Sequence, residues 1–468
     1  MQINREDKAL KYGYISKLFL REATSQGMCL HNTLATAAIT CETRKERFAQ
    51  YRRSNEPRYV LARYFGDCRD NLRKDRCIRM NDKKDNREKY MYRAIELAQR
   101  GLGKVNPNPL VGAVIVKDGR IIAEGYHARY GELHAERNAF QNLKHKEDAK
   151  GAELYVTLEP CCHYGKQPPC TEAIIEHGIS TVYVGSNDPN SLVAGKGIQQ
   201  LRDAGIKVVT EFMKEECDAL NPVFFHYITT KTPYVVMKYA MTLDGKIATH
   251  TGHSRWVSGE ASRARVHETR NALSGIMVGI GTVLNDNPLL TCRMEGGTNP
   301  TRIVCDTKLR IPLSSQIIDT ADEVPTIVAT TAPHPEYKRF WNEEKAFLEK
   351  NNVTVLVVKE KNNRIDLQDL MIELGKLKID SILIEGGSAL NYSALQAGIV
   401  NRIEAYVAPK IFGGVGFFTP VGGEGVELAT DALKVKFVSA KPVGEDILLT
   451  YDVEKKIEEI SEDKKEEV

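Results

Sequence analysis

His134, Ala135 and Glu136 set an imidazole and a carboxylate two positions apart, and two thiols follow in Pro160-Cys161 and Pro169-Cys170. One imidazole and two thiolates can hold a zinc ion tetrahedrally with a fourth position open to water, whose pKa the metal lowers to about 7. Glu136 is near enough to reach that water without ligating the metal, so it can carry protons to a departing ammonia. The chemistry this pattern supports is hydrolytic deamination. Such centres read H-x-E followed by P-C-x-x-C, whereas here eight residues, 162–169, separate Cys161 from Cys170. Side chains of adjacent cysteines diverge, so Cys161 and Cys162 are not both ligands. Cys161 is preferred because it follows Pro160 directly after the apolar run 154–158. His163 either substitutes as a ligand or lines the pocket. Buried, unreactive thiols are the plainer alternative for such cysteines, but a histidine, a glutamate and two Pro-Cys pairs in this order favour the metal.

The elements that would position these groups alternate. A helix over 87–100 presents Met91, Ala94, Ile95 and Ala98 on one face, with Asp85-Asn86 as its cap. A hairpin follows over 111–116 and 121–124, turning at Asp118-Gly119. Helix 134–143 puts His134 and Glu136 at its start, strand 153–159 ends at Cys161, and helix 171–177 starts at Cys170, where the helix end favours a thiolate. Strand 181–185, helix 196–204 and strand 206–210 complete a layered α/β domain. After a connector containing Asn221-Pro222, a second half opens near Thr232 with strand 233–238, helix 262–272 and strands 276–278 and 302–306. Helix 367–376 and strand 381–385 then run into Gly386-Gly387 at the start of another helix. Such a turn admits a phosphate, although it is no GxGxxG.

At 468 residues the chain is too long for one core, and 42% hydrophobic with 27% charged residues is the balance of a soluble globular protein. No apolar run is long enough to span a bilayer and no secretory signal opens the chain, so a cytoplasmic place is expected. The ten cysteines are scattered, which suits a reducing compartment. Residues 1–79 are arginine-rich, contain Cys29, Cys41, Cys68 and Cys77, and show no sustained period. They read as a disordered extension, or as a leader upstream of a translation start at Met80. Residues 456–468 read as a solvated charged tail. A nucleic-acid deaminase would share the zinc chemistry but needs a basic, aromatic-bearing groove, and no such stripe follows residue 86. A non-catalytic binding protein would not need Glu136.

NPNPLVGAVIVKDGRIIAEGYH, GELHAERNA, YVTLEPCCHYGKQPPC and NDPNSLVAGKGIQQLRDAGI resemble the deaminase half of the bifunctional riboflavin-biosynthesis deaminase-reductases. MKYAMTLDGKIA, GHSRWVSG, VGIGTVLNDNPLLTCR and ILIEGGSALNYSAL resemble their reductase half. The resemblance covers about residues 86–455, and the long cysteine spacing is that family's variant. It implies a cytidine-deaminase-like α/β/α domain over 80–230 and a dihydrofolate-reductase-like α/β domain over 231–455. It implies His134, Cys161 and Cys170 as zinc ligands, Glu136 as proton shuttle, and Asn106, Lys166, Asp188 and Asn190 as contacts for the pyrimidine or its ribose phosphate. In the second half it implies NADPH against Ala240, Trp256, Thr282, Asp286, Thr307 and the turn Gly387, Ser388, Ala389, Leu390, Asn391, Tyr392 and Ser393. Ser254, Arg270, Leu290, Arg293 and Glu385 would meet the substrate, the arginines suiting its phosphate. The implied partner is a phosphoribosyl aminopyrimidine, with no nucleic acid and no membrane, and a homo-oligomer is a family expectation.

Overall fold

The computed structural model describes residues 87–165, 167–415 and 418–454. The expectations for residues 1–79, the Asp85-Asn86 cap, Lys166 and the tail 456–468 lie outside the described residues.

Alternation of side chains builds the first sheet. In β1 (Gly112–Lys117), Ala113 and Ile115 join one core cluster while Val114 and Val116 join another, because successive strand residues point to opposite faces. β1 turns into β2 (Arg120–Tyr126) through Asp118 and Gly119, both at positive φ (49° and 72°), as a tight two-residue hairpin requires. α1 (Glu88–Gln99) covers one face with Tyr90, Met91, Ala94 and Leu97. On the other face lie α2 (Ala135–Gln141), α3 (Cys170–Glu176) and α4 (Lys196–Asp203). β3 (Glu153–Leu158), β4 (Thr181–Ser186) and β5 (Lys207–Val209) complete the order β2-β1-β3-β4-β5, parallel from β3 onward. α5 (Lys214–Asp218) follows, and then the segment expected as a connector forms α6 (Pro222–Thr230). Pro222 opens that helix, where its missing N–H is not needed.

The second sheet has nine strands in the order β10-β9-β8-β7-β13-β6-β14-β16-β15. In chain order it comprises β6 (Tyr234–Thr242), α7 (Glu260–Ala272), β7 (Gly275–Gly279), α8 (Ile280–Asp286), β8 (Thr301–Cys305) and α9 (Gln316–Asp319). β9 (Thr326–Thr331), α10 (Lys338–Lys350) and β10 (Val353–Val358) follow, with a separate ribbon of β11 (Glu360–Lys361) and β12 (Arg364–Ile365). α11 (Leu367–Lys376), β13 (Ser381–Ile384), α12 (Ser388–Gln396), β14 (Val400–Ala408), β15 (Val435–Val443) and β16 (Asp446–Val453) complete it. The strands from β10 to β14 run parallel, and the β15–β16 hairpin adds antiparallel at one edge. Leu370 and Leu374 of α11 pack on Val235, Ile303 and Ile382 on one face, and Ile317 and Leu348 pack with Val278, Val304 and Val355 on the other. Parallel strands buried on both faces need such double cover. Among the described residues no helix is long and apolar enough to cross a membrane.

Candidate active sites

Three chain segments converge on the thiols. His134 stands just before α2 with extended backbone (φ −68°, ψ 159°), and Cys170 is the first residue of α3. Cys161 arrives just past the end of β3. The Cys161 and Cys170 sulfurs lie 3.4 and 3.5 Å from His134 Nδ1, and the ligand atoms of all three residues lie within 4.8 Å of one another. Bonds of about 2.3 Å to sulfur and 2.0 Å to nitrogen put the N···S edge of a zinc tetrahedron at about 3.5 Å, so donors and spacing fit that metal.

The charges agree. Hydrogen bonds from Cys170 and His134 pull the Cys161 thiol down to about 4, whereas its bond to Cys161 and its burial push Cys170 well above the ordinary thiol value. The helix start was expected to ionise Cys170, but the neighbouring thiolate overrides it, as like charges at one site must. Both thiols ionise together only with a cation between them. Glu136, 3% exposed and in hydrogen-bonding contact with Cys170, is itself pushed upward, chiefly by burial.

The long cysteine spacing is closed by local bonds. Thr171 N–H and its hydroxyl donate to the Cys161 carbonyl at 3.2 and 3.3 Å, and Arg137 reaches the carbonyls of Pro168 and Pro169 at 3.0 and 2.8 Å. Cys162 turns away, its sulfur 3.8 Å from the Leu192 carbonyl, and His163 lines the neighbouring cavity.

That cavity, about 320 Å³, opens beside Glu136 and is lined by Asn108, His127, Gln167, Asp188, Asn190 and Tyr227 among others. Asp188 accepts the Asn190 N–H at 2.8 Å, and burial raises its carboxyl to about 6. Asn106 does not line the cavity; its amide donates to Asp380 at 2.9 Å.

In the second half, the C-terminal ends of β8, β7, β13 and β6 lie side by side, and ligands of open α/β sheets bind outside such ends. Thr307 follows β8, Thr282 lies early in α8, the stretch 387–393 opens α12, and Ala240 lies in β6. α12 starts at Gly387 with no side-chain cap, and a Cβ there would meet nothing within 4 Å. An uncapped helix start with open space beside it suits a dinucleotide phosphate. A cavity of about 300 Å³ adjoins it, lined by Lys238, Ala240, Ser254, Trp256, Arg270, Asp286, Arg293, Glu385 and Asn391. Trp256 is 62% exposed, with the Arg263 guanidinium 4.7 Å from its ring centre, so it is no core residue. Leu290, by contrast, is 5% exposed and packs into the core with Ile276 and Val283.

Glu385 grips Arg270 in bidentate fashion at 2.6 and 3.0 Å, and Lys238 Nζ approaches to 3.9 Å. Burial alone would raise the Glu385 carboxyl, but Arg270 and Lys238 outweigh it and hold it below the ordinary value. Arg270 also donates to the Thr291 carbonyl at 2.8 Å, and Arg293 pairs with His267 at 3.0 Å.

A family model of the RibD C-terminal domain matches residues 233–449, and one of the cytidine and deoxycytidylate deaminase zinc-binding region matches residues 84–186. The riboflavin biosynthesis protein RibD of Actinobacillus pleuropneumoniae is 56% identical over 365 residues, 78% of this chain and 94% of that protein. The chain belongs to the RibD family. The RibD of Escherichia coli (strain K12) is 39% identical over 377 residues, 77% of this chain and 98% of that one. A crystal structure of the diaminohydroxyphosphoribosylaminopyrimidine deaminase/5-amino-6-(5-phosphoribosylamino)uracil reductase of Thermotoga maritima superposes with a TM-score of 0.68 at 40% identity. It covers 78% of this chain and 98% of its own. As a RibD member the chain is a bifunctional deaminase and reductase of riboflavin biosynthesis, with a zinc-binding deaminase half and an NADPH-using reductase half.

Within this RibD chain, several residues at the sites lie inside the matched motifs but were given no role from sequence. His127 donates its Nδ1 proton to the Leu133 carbonyl at 2.9 Å, which leaves Nε2 to accept from the Asn108 amide at 3.1 Å. Glu159, 3% exposed, accepts the N–H groups of Gly195, Ile198 and Asp188 at 3.0, 3.2 and 3.4 Å. It thereby caps α4 and ties the 188–195 loop to the strand end that carries Cys161. Lys238 had a legible signal: a charge inside an apolar strand needs a partner.

Proposed function

We propose that the first cavity hydrolyses 2,5-diamino-6-(5-phosphoribosylamino)pyrimidin-4-one to 5-amino-6-(5-phosphoribosylamino)uracil and that the second reduces this product to its ribityl form. The observation that carries the reading is the pairing, in one chain, of the His134, Cys161, Cys170 and Glu136 cluster with the Lys238, Glu385 and Arg270 cluster.

His134, Cys161 and Cys170 would hold the zinc, which when bound would supply a water of lowered pKa for attack on the substrate carbon that bears the amino group. Glu136 would take a proton from that water and pass it to the departing amine; burial raises its carboxyl, which favours the protonated form it passes through. Asn108, His127, Asp188 and Asn190 present polar groups to the pyrimidine and its ribose phosphate.

In the second half the β-strand ends and the start of α12 would hold NADPH, whose hydride would go to C1 of the ribosyl group as the bond from C1 to the ring oxygen breaks. Lys238 gives that oxygen its proton, and Glu385 keeps Lys238 charged and Arg270 in place. Because the fork of Arg270 is engaged by Glu385, the substrate phosphate falls to the exposed Arg293.

Two variants separate the activities. Glu136→Gln should lower ammonia release by roughly a hundredfold or more while zinc content and reduction of pre-deaminated substrate stay unchanged, and Lys238→Met should do the reverse. Normal ammonia release by Glu136→Gln would overturn the assignment.

A further inference from the structure

Asp380 belongs to the reductase sheet, immediately before β13, and is 1% exposed. Its carboxylate nevertheless faces the other half: Asn106 Nδ2 donates to Oδ2 at 2.9 Å and to Oδ1 at 3.2 Å. Oδ1 also accepts the hydroxyls of Ser274 and Ser381 at 2.6 and 2.7 Å, and the Asp380 carbonyl accepts the Tyr234 N–H at 2.8 Å. The carboxylate is therefore oriented by its own sheet before Asn106 reaches it. A second contact lies close by: at Gly103 (φ 73°) a Cβ would stand 2.2 Å from the Asn271 carbonyl oxygen, so the two backbones touch.

Immediately beyond Asn106 the chain forms the wall of the deaminase cavity. Pro107, Asn108 and Pro109 line it, and the Asn108 amide meets His127 at 3.1 Å. The prolines lock φ on both sides of Asn108, so a shift of Asn106 is passed on to Asn108 rather than absorbed.

We propose that Asp380 is a positioning residue for deamination, supplied by the reductase half: by holding Asn106 it sets the 107–109 wall of the deaminase cavity. The inference rests on the deaminase reading above and makes that cavity incomplete without the reductase sheet, a reason for fusing the halves beyond local concentration. It also moves Asn106 from expected substrate contact to structural anchor.

The test uses the full chain. Asn106→Asp sets carboxylate against carboxylate, and adding Asp380→Asn restores an amide–carboxylate pair with the roles exchanged while an oxygen remains for both serines. For ammonia release from the diaminopyrimidine substrate we expect Asn106→Asp to raise KM about tenfold, with zinc content and NADPH oxidation on pre-deaminated substrate unchanged. The double variant should recover most of the loss. A wild-type KM in Asn106→Asp, or a loss that Asp380→Asn does not restore, overturns the proposal. Absence of ammonia release by the unaltered protein would instead sink the deaminase reading itself.

Discussion

Lys238 lies in β6 between Met237 and Tyr239, its side chain 17% exposed and 3.9 Å from Glu385. Burial disfavours the ammonium and lowers its pKa below the ordinary lysine value, although Glu385 opposes the shift. Proton donation needs the ammonium, so the reductase kcat should fall as pH rises through that lowered value, with an alkaline limb below about 10.4. A profile of kcat against pH on pre-deaminated substrate checks this, and a rate still rising past that value would contradict the role. The sequence displayed His134, Glu136, Cys161 and Cys170 because their types and order carry the chemistry. It did not display Lys238 as a donor, since Glu385 approaches it only through the pairing of β6 with β13. Asn106 and Asn108, each followed by proline, look alike in sequence; only the path of the backbone separates the anchor from the cavity wall.

At the scale of elements, the position of Glu136 depends on how closely α2 lies on β2. A Cβ on Gly125 would stand 2.2 Å from the Ala139 nitrogen and 2.5 Å from the Ala135 oxygen. Gly125→Ala should therefore push α2 outward, costing roughly 1–3 kcal/mol and weakening zinc retention. Thermal unfolding and zinc titration read both, and an unchanged Tm with full zinc affinity would contradict the close approach. The hairpin at Asp118-Gly119 was legible because its turn residues tolerate positive φ; α11, expected over 367–376, proves to be capped by Asp366, which accepts from Gln368 N–H at 3.0 Å. β9 was not, because 326–331 is buried throughout and shows no alternation. β15 escaped for the opposite reason: nearly all of it is exposed, so no burial pattern marks it. α6 was hidden by Asn221-Pro222, which reads equally as a turn and as a helix start.

Over the whole molecule, two α/β layers with different sheets carry two reactions whose chemistry is sequential: the product of hydrolysis is the substrate of reduction. Their order is the consequence that reaches furthest, because it engages both clusters at once. The measurement is to give zinc-replete, full-length protein the diaminopyrimidine phosphoribosyl substrate together with NADPH, and to follow ammonia and the near-ultraviolet absorbance of NADPH in the same sample. We expect ammonia to appear first and NADPH to be consumed only afterwards. NADPH loss without prior ammonia, or ammonia with no NADPH loss at all, would contradict the assignment of the two halves.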